Sequence, residues 1–187
     1  MYKAIAVILS VLLVSACANE PTAITLNPKL TINKQVVYQQ LTAKLSVTDI
    51  RASNHIVEVL SNNKKSKLIG TTTSLKHVLD HQFSQELGFQ GLAIIDSGDI
   101  KLNFSVERAR TYVNQDVLDY RANTIIKLKV KVENPAQTLS KTFTLRATSR
   151  GPLTADIDEL QQDFNIQLAK LITQVIEDEQ LQNFIKG

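Results

Sequence analysis

Alternating apolar and polar residues mark four segments of this chain as strands with one buried face. These segments are LTAKLSV at 41–47, IKLNFSV at 100–106, IKLKVKVE at 126–133 and FTLRATSR at 143–150. The stretch IVEVLSNNKKSKLIG at 56–70 places a polar turn between two shorter apolar runs and is typical of a β-hairpin. Together these patterns predict an antiparallel sheet with one face in the core and the other in water.

Two longer segments follow the helical period instead. The segment SLKHVLDHQFSQELGFQG at 74–91 carries an apolar stripe, with Ser74 as its N-cap and Gly88 at its end. A second stripe runs from an N-cap at Thr154 to Val175, and the apolar residues after it predict a short closing turn. We therefore expect an α+β fold, an antiparallel β-sheet with two amphipathic helices packed on one face.

The long apolar run at the N-terminus ends at the only cysteine of the chain. Residues 4–14 have the length of a signal-peptide core, which is about half of a membrane span. An ordinary secretory site would be cut after Ala18, whereas residues 14–17, VSAC, resemble a bacterial lipobox that is cut between Ala16 and Cys17. The lone cysteine lies directly behind the run, which favours the lipobox and implies a diacylglyceryl group on Cys17.

This interpretation divides the chain into three parts. They are a lipoprotein signal peptide at 1–16, the lipidated Cys17 with a tether at 17–40 that holds a short strand at 22–26, and a single α+β domain at 41–187. Two or three acyl chains give persistent anchoring, at about 0.8 kcal/mol per buried methylene. The sequence after the signal peptide predicts no membrane span and no disulfide.

The mature chain is nearly balanced in charge. Removing Lys3 from 21 basic side chains leaves 20 against 18 acidic ones, a formal charge of +2. We expect no nucleic-acid partner, because such domains cluster basic residues among stacking aromatic ones. The wet face of the sheet is nonetheless predicted to be basic and suits an anionic partner, either lipopolysaccharide or an acidic protein. Its basic residues are Lys44, Lys127, Lys129, Lys131, Arg146 and Arg150.

An alternative interpretation of this face needs no partner. Lysine on solvent-facing strands also increases solubility and prevents aggregation at strand edges. In addition, Glu107 and Glu133 are placed where they would dilute the positive charge. The basic face is therefore a binding hypothesis that depends on how these carboxylates are arranged.

Patterns that indicate catalysis or metal binding are scarce. His77 and His81 lie four residues apart, as in some metal sites, but opposite the apolar stripe of their helix. His55 is the only other histidine, so we expect no metal and no cofactor. The sequence contains no GxSxG, HExxH or phosphate-loop pattern, and we expect no enzymatic activity. An unrecognised envelope hydrolase is the least favoured alternative.

Four segments in order along the chain resemble the YajG-like lipoproteins of Gram-negative bacteria. They are VSACA, PTAITLNP, TTTSLKHVLDHQFSQELGFQG and EDEQLQNFIK. The resemblance implies an envelope lipoprotein on the inner leaflet of the outer membrane, facing the periplasm, and it implies no catalytic residue or ligand. We expect a scaffold or accessory module that binds a periplasmic partner. The alternative is a carrier that holds a lipid or glycan fragment between sheet and helices.

The lipobox can be tested at its sulfur atom. We expect Cys17→Ser to abolish fatty-acid labelling and to release the protein from membranes, because the thioether forms only on cysteine. Metabolic labelling followed by fractionation measures both effects. Labelling that survives the substitution would eliminate the lipobox.

Overall fold

The computed structural model describes residues 23–32, 35–61 and 65–187. The predicted signal peptide, its cleavage site and Cys17 lie outside these residues. The strands are β1 (Ala23–Ile24), β2 (Thr42–Asp49), β3 (Val57–Ser61), β4 (Lys67–Thr71), β5 (Ala93–Ile94), β6 (Ile100–Gln115), β7 (Asp119–Glu133) and β8 (Thr138–Pro152). The helices are α1 (Leu75–Phe89), α2 (Ile157–Ile176) and α3 (Glu179–Lys186).

Three long strands, β6, β7 and β8, form an antiparallel meander at the centre of the sheet. The other side of β6 is shared by β2 and β3, which lie end to end and both run parallel to it. The hairpin partner β4 and then β1 extend the sheet beyond β3, while β5 pairs with β2. Strand β6 therefore carries neighbours on both sides along most of its length.

The sheet is mixed, so the prediction of an antiparallel sheet is wrong in this respect. Of the seven strand pairings among the described residues, β1·β4, β2·β5, β2·β6 and β3·β6 are parallel. Alternation reports which side of a strand is buried and contains no information about the direction of its neighbour. The β3–β4 hairpin and α1 provide the crossover that lets β2 and β6 run in the same direction.

Both predicted helices pack on the apolar face of the sheet. Phe83 of α1 stacks on Phe104 of β6 with ring centroids 4.3 Å apart. Helix α2 buries one complete stripe, formed by Leu160, Phe164, Leu168, Ala169, Leu171, Ile172, Val175 and Ile176. The helix ends differ slightly from the prediction, because Asp156 caps α2 and α1 continues through Gly88 to Phe89.

A third helix, α3, occupies the position of the predicted closing turn. The Asp178 side chain accepts a hydrogen bond from the Leu181 backbone N–H at 2.9 Å and thereby caps the new helix. The same carboxylate accepts a hydrogen bond from Lys141 Nζ at 2.6 Å. The acidic run at 177–179 indicates the end of one helix, but it also starts the next, since acidic side chains stabilise helix N-termini.

The folded part begins earlier than the predicted boundary at residue 41. Ile24, Leu26 and Tyr38 are buried in the core, although the sequence assigned them to the tether. The Thr25 N–H donates to Gln161 Oε1 at 2.6 Å, and the Asn27 N–H donates to Asn165 Oδ1 at 2.7 Å. These amide side chains bind the extended segment along α2, so residues from Ala23 onward belong to the domain.

A gap in the sheet between β2 and β3 is closed by an arginine side chain. Strand pairing on this side of β6 stops at Val106 and resumes at Thr111. Arg51 donates from Nη1 to the Ala109 carbonyl at 3.1 Å, so it replaces the missing strand at that position. Its Nε and Nη2 donate to the two oxygens of Asp49 at 2.8 and 2.7 Å, and only 7% of the Arg51 side chain is exposed.

We expect Arg51→Met to lower the free energy of unfolding by about 2–4 kcal/mol, since it leaves the Ala109 carbonyl and the Asp49 carboxylate without their partner. Burial alone would raise the pKa of Asp49, but the hydrogen bonds and charge of Arg51 outweigh it and lower this pKa. The stability from this pair is therefore present above about pH 4 and is lost as the pH falls through the lowered pKa.

Urea unfolding at pH 7 and at pH 3 measures this difference. We expect the gap between wild type and Arg51→Met to narrow at pH 3, with Arg146→Met as an exposed control that changes little. A loss of stability that is equal at both pH values would contradict the role of the Asp49 charge.

Candidate functional site

All six basic residues predicted on the wet face lie on the same side of the sheet. We call this side, which points away from α1 and α2, the outward face. On β7, Lys127, Lys129 and Lys131 alternate with buried Leu128, Val130 and Val132. The strand registers place the remaining three, Lys44, Arg146 and Arg150, on that same side.

Four more basic residues on the outward face were missed by the sequence analysis, namely Lys101, Arg108, Arg110 and Arg121. If the alternation of buried and exposed residues continued unbroken after Val106, Arg108 and Arg110 would point inward. A β-bulge between Val106 and Arg108 shifts the phase by one residue, so both arginines point outward and Ala109 is buried. A bulge leaves no simple period in the sequence, which explains why Arg108 and Arg110 were missed, whereas Lys101 follows from the alternation of residues 100–106.

A row of hydroxyl groups runs beside the lysines of β7. Lys127 lies opposite Thr144, Lys129 opposite Thr142 and Lys131 opposite Ser140 in the antiparallel register. Cross-strand neighbours of this kind are about 5 Å apart. The outward face therefore presents ammonium and hydroxyl donors side by side, which suits carboxylate oxygens as acceptors.

Several of the cations are already neutralised by carboxylates. Lys127 Nζ lies 2.8 Å from Glu107, Arg110 Nη1 lies 3.4 Å from Glu58, and Lys44 Nζ lies 3.6 Å from Asp96. Lys131 pairs with Glu133, and its hydrogen bond lowers the pKa of that carboxyl. As predicted, Glu107 and Glu133 therefore neutralise part of the positive charge of the outward face.

The positive charge that remains is spread along the whole face. Among the described residues, the outward cations that form no ion pair are Lys101, which lies opposite Glu133, together with Arg108, Arg121, Lys129, Arg146 and Arg150. The opposite side of the molecule is acidic, because α2, α3 and their caps carry Asp156, Asp158, Glu159, Asp163, Glu177, Asp178 and Glu179. The near neutrality of the sequence thus conceals a separation of charge between the sheet and the helices.

A second polar cluster lies at the gap between β2 and β3. Ser53 Oγ hydrogen-bonds His55 Nδ1, and His55 Nε2 lies 3.7 Å from Glu58 beside a cleft of about 190 Å³. Burial lowers the pKa of His55, and the charge of Arg110 lowers it further against the opposing effect of Glu58. The imidazole is therefore neutral at pH 7. Since Glu58 also pairs with Arg110, the cluster binds the β2–β3 connection to β6.

The histidines of α1, the hydropathy of the helices and the core cavity are the remaining features that bear on function. His77 and His81 are exposed on α1, and no group of three His, Cys, Asp or Glu side chains suited to a metal ion occurs in the described part of the chain. Within residues 23–32, 35–61 and 65–187, no helix is long and apolar enough to cross a membrane. The cavity between sheet and helices, lined by Tyr38, Phe83 and their neighbours, measures about 20 Å³.

We expect Lys129→Glu combined with Arg146→Glu to change the free energy of unfolding by less than about 0.5 kcal/mol, because both side chains are exposed and without a carboxylate partner. Urea unfolding at pH 7 measures this change. A loss above about 2 kcal/mol would show that these cations have a structural role.

A family model described as "Uncharacterized lipoprotein" matches residues 28–186 of this chain. The crystal structure of protein XCC0632 from Xanthomonas campestris, a DUF330 protein, is similar, with a TM-score of 0.61 at 20% identity over 87% of this chain and 97% of that one. A crystal structure of an uncharacterized protein has a TM-score of 0.50 at 14% identity, covering 85% of this chain and 99% of that one.

A third similar structure belongs to a protein whose name describes a binding activity. A putative neuraminyllactose-binding hemagglutinin homolog from Helicobacter pylori has a TM-score of 0.50 at 10% identity, over 87% of this chain and 97% of that one. No curated protein matches this sequence. At these sequence identities the structural similarity establishes a shared fold, and function has to be inferred from the residues of the site itself.

Proposed function

Because this chain belongs to that family of uncharacterized lipoproteins, we propose that it is a lipid-anchored, non-enzymatic accessory module whose outward face binds an acidic protein in the periplasm. Lipidation of Cys17, the position on the inner leaflet of the outer membrane and the likeness to the YajG-like group are parts of this proposal. The family membership supports the lipoprotein, and the charge and shape of the outward face support the binding role.

The observation that carries the proposal is the open, basic face of a four-stranded sheet. Strands β2, β6, β7 and β8 have no helix over their outward side in the described residues, and six of its cations form no ion pair. Fifteen residues of β7 at 3.3 Å and strands 4.8 Å apart give roughly 800 Å². A typical protein interface buries about the same area on each partner.

The shape of this face favours a protein over a small ligand. Its unpaired cations are spread along the strands, whereas a small anion requires several donors that converge on one point. Complementary charge over a broad surface accelerates association and orients the partner. An acidic protein surface uses both the ammonium groups of β7 and the hydroxyl row of β8.

The carrier alternative receives less support from the interior. Sites for lipid or glycan fragments occupy about 300–1,000 Å³. The enclosed cavity between the sheet and the helices measures about 20 Å³, which is near the space of one water molecule, and the groove of about 460 Å³ between Leu145 of β8 and Ala169 of α2 lies open at the surface. The packed core therefore supports a module that binds at its surface.

Crosslinking in intact envelopes tests the binding role. With a photo-crosslinking residue in place of Thr142, we expect Lys129→Glu with Arg146→Glu to reduce capture of the partner about tenfold, since two attractive charges become repulsive. Mass spectrometry identifies the captured protein, which we expect to present an acidic surface.

A matched control reverses Lys76 and Lys170, which are exposed residues of α1 and α2. Lys76→Glu with Lys170→Glu changes the net charge by the same amount on the helix side, and we expect capture to stay near the wild-type level. Equal capture by all three proteins, or an equal loss in both variants, would contradict binding by the outward face.

A further inference from the structure

The sheet ends in a small apolar tip. We define the tip as Val117 and Leu118, in the turn between β6 and β7, together with Leu153, which follows β8. Their exposed fractions are 85%, 77% and 63%, so they are three of the four most exposed large apolar residues in the described part of the chain. The Leu153 N–H donates to the Leu118 carbonyl at 2.8 Å, which holds the two segments side by side.

Local folding does not explain these residues. The turn is tight, since the Asp116 N–H donates to the Asp119 carbonyl at 2.9 Å, and its central residues Val117 and Leu118 both keep a negative φ, which most residue types can adopt. Leu153 has a φ of +60°, a left-handed conformation that glycine or asparagine adopts with less strain. Three apolar side chains thus lie in water at positions where the local fold does not require an apolar residue.

The N-terminal end of β1 faces the end of the sheet that carries the tip. Strand β4 starts near this end of the sheet at Lys67 and runs away from it, and β1 is parallel to β4 with Ala23 opposite Gly70. The registers place Ala23 level with Arg110, so it lies five residues, or roughly 16 Å along the strand direction, from Gln115, where β6 ends next to the tip. Six peptide steps separate Cys17 from Ala23, and they span at most about 20 Å.

We propose that the tip is a membrane-docking site, at which Val117, Leu118 and Leu153 enter the interface of the bilayer that holds the lipid on Cys17. The site rests on the lipid anchor of the proposed function and is separate from its basic face. Asp116 and Asp119 flank the turn of the tip, so apolar insertion rather than attraction to anionic headgroups drives the docking. The long strands then stand along the membrane normal, and the outward face points sideways into the periplasm.

Fluorescence quenching in vesicles tests this orientation. The mature lipidated protein carrying Leu118→Cys is labelled with an environment-sensitive fluorophore and reconstituted in phosphatidylcholine vesicles that contain a headgroup-level nitroxide lipid. Cys17 is the only native cysteine and its sulfur carries the lipid, so the new thiol is the single labelling site. The control is Ala136→Cys, in the turn between β7 and β8 at the other end of the same strands.

We expect nitroxide quenching at position 118 to be at least fivefold stronger than at position 136, and to be unaffected by 0.5 M salt. Equal quenching at the two positions would overturn the proposal. A fluorophore at position 118 that becomes shielded without nitroxide quenching would also overturn it, because that result indicates contact with a second copy of the protein. Intact mass, measured first, reports failure of lipidation separately.

Side-chain variants distinguish docking from folding. In the Leu118→Cys protein we expect Val117→Ser with Leu153→Gly to reduce quenching at least threefold. The thermal midpoint should not fall, because glycine relieves the strain at position 153. Lys129→Glu with Arg146→Glu should leave quenching unchanged, so that failure of the basic face and failure of the tip are told apart. Quenching that persists after removal of Val117 and Leu153 would overturn the role of the tip.

Discussion

The pairing of β6 with strands on both of its sides is the interaction on which the rest of the structure depends. The meander partner β7 covers one side completely, while β2 and β3 divide the other side between them. Where β2 ends and β3 has not yet begun, the guanidinium of Arg51 satisfies the backbone of β6. A polar side chain thus completes a ladder that the backbone leaves open, and its own charge is balanced by Asp49.

This arrangement explains which parts of the fold could be predicted from the sequence. Periods of two and of about 3.6 residues depend only on which side of an element is buried, so the strands of the meander and both long helices were predicted correctly. Strand direction depends on connections through space, and for that reason the parallel pairs of β2 and β3 were missed. Helix α3 was missed because the acids that end α2 also cap its successor at Asp178.

For the candidate site, too, the sequence predicts only what depends on the alternation within a single strand. The six basic residues of the outward face follow from parity within single strands, and the structure places them together. Arg108 and Arg110 lie beyond an irregularity that shifts parity, and the apolar turn at Val117 and Leu118 contains no periodic signal at all. The separation of charge follows the order of the elements, because residues 121–150 hold seven basic side chains and one acidic one, whereas residues 151–187 hold two basic and seven acidic ones.

The β-bulge beside Glu107 has a consequence for how this chain can change its length. Val106 lies opposite Leu128 and Arg108 opposite Lys127, so Glu107 has no counterpart on β7, and deleting it would leave a continuous ladder with the same register on both sides. Arg108 and Arg110 would keep their outward positions, and Ala109 and Val113 would stay buried. Deleting one residue elsewhere in β6 would instead exchange the two sides of the strand beyond it, so the bulge is the place where this strand can lose a residue without exposing its core.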